Sequence, residues 1–169
     1  MSEPLPSLDA RLRTVLPEAA VGELDASREF EGQRGLDLLN LILARTNIDE
    51  FRIHRWQDGR LVLVGSFDHC YYHEVAVHFV DVVATQLPEY LSAHRFRVAT
   101  ADERTAFFQW VGLPEPDSAL ITIDGDAGGE DRSFFVAAMR IEVDPGLVFY
   151  YDREAQQPLK AGERVDPRS

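Results

Sequence analysis

The sequence predicts an α+β fold: a mainly antiparallel sheet of about six strands built from hairpins, with N-terminal helices and one helix inserted near 101–111. Three observations carry this expectation. An Asp58-Gly59 pair stands between two β-rich runs, FRIHRW and RLVLVGSF. Helical spacing of apolar residues is concentrated before the first of those runs. A capping-box pattern at Thr100 to Glu103 isolates one later helix, so helices and strands do not alternate as in a parallel α/β chain.

In chain order, Ser7 to Val15 reads as a helix, with Leu8, Leu12, Val15 and Leu16 at helical spacing until Pro17 ends it. A second helix begins at Ser27 or Gly35 and runs to Thr46. Its leucines and Ile42 cover more than one face, so it must be covered on most sides, by a sheet or by a copy of itself. Segments 50–56 and 60–67 form a hairpin around Asp58-Gly59, and the successive apolar residues of LVLV place the second strand between two layers. The strand pattern continues over 72–85, with Val75, Val77 and Phe79 on one face. Gly112 and Pro114 close the helix at 101–111. A second hairpin joins 119–124 to 133–143 through the loop GDAGGED. A third turns at Pro145-Gly146 and returns as LVFYYD.

The chain of 169 residues is expected to form a single globular domain over 1–169, with loose residues 1–6 and a polar tail at 153–169. Its 45% hydrophobic and 27% charged residues are those of a globular protein. The longest apolar runs fall well short of the roughly 20 residues that cross a bilayer, and no secretory signal pattern opens the sequence, so the expected compartment is the cytoplasm. Cys70 is the single cysteine, which excludes an internal disulfide. A formal charge of -12 opposes attraction to nucleic acid and to anionic membrane surfaces, and neither is an expected partner.

The densest titratable stretch is FDHCYYHEVAVHF at 67–79. His73 and His78 approximate the H-E-x-x-H spacing of zinc proteases with one residue too many. Five apart, they sit roughly 140° apart on a helix and on opposite faces of a strand. His69 and His73 share a strand face but start roughly 13 Å apart, so a metal would need ligands from another strand, His54 for example. Cys70 has histidines nearby in sequence but no signature of a nucleophile. The loop Asp124 to Asp131 fails as an EF-hand, since Gly128 and Phe135 occupy ligand positions. No phosphate-binding glycine loop, nucleophile elbow or paired CxxC is present.

These features predict a small acidic binding or regulatory module without a recognisable catalytic motif and without a cofactor. Its expected partner is a basic protein or a second copy of itself, and the candidate interface residues are Tyr72, Tyr90, Tyr150 and Tyr151. The alternative is an enzyme or a small-ligand or metal binder whose pocket is lined by His69, Cys70, Tyr71 and His73.

Overall fold

The Asp58-Gly59 pair adopts the conformation its chemistry permits, with both residues left-handed at φ 53° and 72°. Such a two-residue turn matches the twist of the strands it joins. It links β2 (Glu50–Gln57) to β3 (Arg60–Ser66), with Trp56 opposite Leu61. These coordinates come from a computed structural model that describes residues 30–48, 50–69, 72–149, 151–152 and 157–158. The expected helix at 7–15 lies outside the described residues.

β3 pairs on its other edge with β4 (Tyr72–Gln86), and β4 pairs along most of its length with β7 (Asp131–Phe149). On the far side of β2 lies β5 (Tyr90–Val98), which pairs in turn with β6 (Ala119–Asp126). β6 then pairs with β7 from Ala119 opposite Ala138 to Asp126 opposite Asp131. That last ladder joins the two ends of the sheet. β1 (Phe30–Glu31) extends β7 at Val143 and Glu142, and β8 (Tyr151–Asp152) pairs with β9 (Gln157–Pro158) apart from the main sheet.

The expected α+β fold, a hairpin-built antiparallel sheet with N-terminal helices, is therefore corrected: β2 to β7 form a closed six-stranded antiparallel barrel, with two helices among the described residues. The physical reason is a different set of strands. Residues 90–98 carry no clear strand pattern in the sequence, yet β5 is what bridges β2 to β6 and permits closure. The third hairpin does not form. Pro145-Gly146 lies inside β7, where the register slips between the pairs Val75–Pro145 and His73–Val148. A bulge removes the need for a ladder donor that proline lacks.

The barrel interior is filled by side chains. Phe51, Leu61, Leu63, Val75, Val77, Phe79, Phe96, Ile123, Val136 and Val143 all have 0% exposure and belong to one cluster. Gly65 is small for a packing reason, because a Cβ there would lie 2.6 Å from Cε1 of Phe51. The Phe51 ring in turn meets Phe96 edge-on at 5.2 Å.

Helix α1 (Gly32–Arg45) packs on β5 and β7 and adds Leu36, Leu39 and Ile42 to the same core. The expected cover on most sides is found on one face only: Gly35, Leu36, Leu38, Leu39 and Ile42 are buried, whereas Gln33, Arg34, Asp37, Ala44 and Arg45 are exposed. Asn40 fixes its seat: its Nδ2 donates to the Phe96 carbonyl at 2.6 Å and its Oδ1 accepts from the Phe96 N–H at 2.8 Å. The side-chain amide thus serves β5 as a strand partner would.

Helix α2 (Ala101–Val111) forms where the capping box predicts. Thr100 Oγ1 accepts from the Glu103 N–H, Glu103 accepts from the Thr100 N–H, and Gly112 closes the helix at φ 75°. Its Phe107 and Phe108 cover Leu120 and Ala137 on the outside of the barrel.

Candidate functional site

The turn from β3 to β4 is organised by its own polar groups. Ser66 Oγ accepts from the Asp68 N–H at 2.9 Å, and the Asp68 carbonyl accepts from the Tyr72 N–H at 3.3 Å. His69 projects from this turn to the start of β2, where its Nε2 lies 2.9 Å from the Glu50 carbonyl. That bond makes Nε2 the donor and leaves Nδ1 without the proton. Nδ1 is buried and has no hydrogen-bond partner. Burial pushes the His69 ring below its ordinary pKa, against the Glu50 carbonyl, which raises it.

His73 takes a different neighbour. It is buried on β4, with its ring 6.0 Å from that of His54 on β2. The strand that could supply a second histidine does bring it close. His54 is also held below its ordinary pKa, first by burial and then by Arg52, Arg55 and His78. Among the described residues no three His, Cys, Asp or Glu side chains are grouped so as to hold a metal ion. Cys70 and Tyr71 lie outside the described residues. The structure thus places His69 and His73 on the same turn region but aims them at separate partners.

A cleft of about 390 Å³ opens beside this turn. It is lined by Leu43, Thr46, Asn47 and Ile48 at the end of α1, by Phe67, and by Ala93 and His94 on β5. Its volume is within the range of small-ligand sites, and its lining mixes apolar walls with a few polar groups. The Thr46 hydroxyl is already engaged, donating to the Ile42 carbonyl at 2.8 Å and accepting from the Ile48 N–H at 3.3 Å. Sequence reasoning assigned none of these residues to a pocket. They come from three separated segments that only the β2–β5 pairing and the seat of α1 bring together, so no local spacing signals them.

The tyrosines proposed for an interface divide. Tyr72 is half-buried against the core, whereas Tyr90 is 49% exposed at the start of β5. Tyr150 lies outside the described residues, and Tyr151 is in β8. Other large exposed side chains are Trp56, Phe67 and Trp110.

Among the described residues, a dense charge cluster lies on the outer face beneath α2. Arg97 binds Glu103 through two bonds of 2.7 Å and Asp124 at 2.7 and 3.1 Å, while Ser133 Oγ donates to Asp124 at 2.7 Å. Hydrogen bonds from Arg97 hold the Glu103 carboxyl down at about 2. Burial would raise Asp124, but Arg97 and Ser133 outweigh it and leave it lowered. These groups satisfy one another and fasten the helix. The same commitment removes Asp124 from the calcium reading, and Asp126 Oδ1 is occupied by the Gly129 N–H at 3.2 Å.

Comparison of the chain with protein-family models, curated proteins and solved structures finds no match.

Proposed function

We propose that this chain is a noncatalytic binding module that engages a basic protein through the outside of its barrel. The carrying observation is the filled interior. Large closed barrels house ligands, but six strands enclose less space than the eight that side chains can just fill, and here the core residues of the wall have essentially no exposure. Recognition then belongs to the surface. The whole chain carries a formal charge of -12, and Trp56, Tyr90 and Trp110 are exposed on the barrel. Aromatic residues of this kind anchor interfaces, while the charge favours encounter with a cationic partner.

The test is capture from the source's own lysate, followed by binding measurements with the purified partner. A basic protein whose association rate falls with added salt, and whose affinity falls about tenfold or more in Trp110→Ala or Trp56→Ala, supports the reading. No reproducible partner, or a partner indifferent to both salt and the tryptophans, overturns it.

The cleft supports a second reading, a small-ligand site walled by Phe67, Ile48 and Leu43 with His94 at its rim. Blocking the cleft mouth at an exposed position with His94→Trp should abolish binding of such a ligand without disturbing the core or the surface tryptophans.

A further inference from the structure

The two tryptophans of the chain, Trp56 and Trp110, are both exposed but stand among different charges. The ring centroid of Trp110 on α2 lies 6.1 Å from that of Phe107, and Phe107 lies 5.5 Å from the half-buried Phe135 of β7. Phe135 and Ala137 alternate with the core residues Phe134, Val136 and Ala138, so they face outward, and Met139 continues their row at 51% exposure. Trp110, Phe135 and Met139 thus mark an apolar strip that runs from α2 onto the outer face of β7.

Carboxylates border this strip. Asp102 shares a helical row with Trp110, with Ala106 between them at steps of four residues. Asp81 stands opposite Met139, since Val80 pairs with Arg140 and Val82 with Ala138. Asp117 lies two residues before the pair of Ala119 with Ala138. All three are exposed, and none makes an ion pair among the described residues. The cations on this side are already matched, Arg104 with Glu115, Arg132 with Glu130 and Arg140 with Glu142. Trp56 has the opposite setting. Arg55 precedes it and donates to the neutral Gln57, and Arg60 stands opposite Gln57 across the hairpin. Neither arginine makes an ion pair among the described residues.

We propose that the α2–β7 face, and not the Trp56 side, is where a basic amphipathic segment of the partner docks, its apolar residues on the strip and its lysines or arginines against Asp81, Asp102 and Asp117. The inference rests on the basic-partner reading above and adds the face and the chemistry of the segment. Beside Arg55 and Arg60 such a segment would set like charges together, whereas on the α2 face it meets carboxylates that have no cation of their own. Trp110 and Met139 are side-chain types enriched at interfaces and supply the apolar anchors. A second copy of the chain is a poor occupant, because an isologous contact would bring the same three carboxylates face to face.

The test reads each face alone by tryptophan emission. Trp56→Phe leaves Trp110 as the reporter, and Trp110→Phe leaves Trp56. The probes are a synthetic helical peptide of leucine and lysine at amphipathic spacing, and the same pattern with glutamate in place of lysine. The lysine peptide should shift Trp110 emission to the blue, saturably, and leave Trp56 emission unchanged, while the glutamate peptide moves neither. Met139→Ser should weaken the lysine peptide about fivefold, and Asp102→Asn/Asp117→Asn about threefold, with the circular dichroism of the fold retained. A shift at Trp56 without one at Trp110 would overturn this face and leave the basic-partner reading standing. No shift at either tryptophan would also overturn the face, and the lysate capture then decides the basic-partner reading by itself. An equal response to the glutamate peptide, indifference to the substitutions, or Trp110 emission that changes with protein concentration before peptide is added would each overturn the proposal.

Discussion

Arg97 holds together three elements through its side chain alone: β5, the start of α2 through Glu103, and β6 through Asp124. Removing the guanidinium leaves two carboxylates facing each other without their cation. Arg97→Met should therefore cost about 2 kcal/mol, the scale of hydrogen bonds to charged groups, read as a shift in the urea midpoint. The pH dependence has a definite sign. The Glu103 pKa lies at about 2 in the folded protein against an ordinary 4.5, so its contribution is complete above pH 4.5 and is lost as the pH falls toward 2. Arg97→Met should flatten the stability profile in that window. His69 acts in a higher window. Its folded pKa is pushed below 6.5, chiefly by burial. The unfolded chain then takes up the proton first, so stability is full above 6.5 and declines as the pH falls below it. His69→Gln should weaken that decline in urea titrations carried out on either side of this value.

Among the elements, those with local physical signatures were legible in the sequence. The Asp58-Gly59 hairpin, the capped helix at 101–111 and the apolar helix ending near Thr46 each follow from short-range chemistry, and the structure has them at Glu50–Ser66, Ala101–Val111 and Gly32–Arg45. β5 was not legible. Its inward residues Leu91, Ala93 and Phe96 are spaced two and then three apart, because the register shifts between Ala93 and Arg95, and that shift breaks the period-two pattern. Pro145-Gly146 misled for the opposite reason: a strong turn signal was absorbed into a bulge, where tertiary pairing with β4 overrode it. The cleft beside Phe67 had no sequence signal, since its walls meet only through these long-range pairings. For α2, Thr100→Ala removes the acceptor for the Glu103 N–H and should cost about 1 kcal/mol, with faster hydrogen exchange confined to the first turn of the helix.

The whole molecule depends on closure, and the β5–β6 ladder is one of the six pairings that closure requires. A Cβ on Gly125 would lie 2.0 Å from the Ser92 carbonyl oxygen, a backbone atom that cannot rotate aside. Gly125→Ala should destabilise the protein by about 3 kcal/mol or more. Gly65→Ala, whose conflicts at 2.6 to 2.9 Å are with the side chains of Phe51 and Val75, should cost less, about 1–3 kcal/mol. Equal effects in thermal unfolding would contradict this close β5–β6 pairing. We propose that a barrel closed and filled in this way uses its outer surface for recognition, and that proposal is the central claim. Native mass spectrometry on protein isolated from its source without chelators or an affinity metal tests that claim most directly. The account predicts the 19.1 kDa chain, free or bound to a basic protein, with no added small mass. A stoichiometric metal or organic ligand retained on the isolated chain would contradict it.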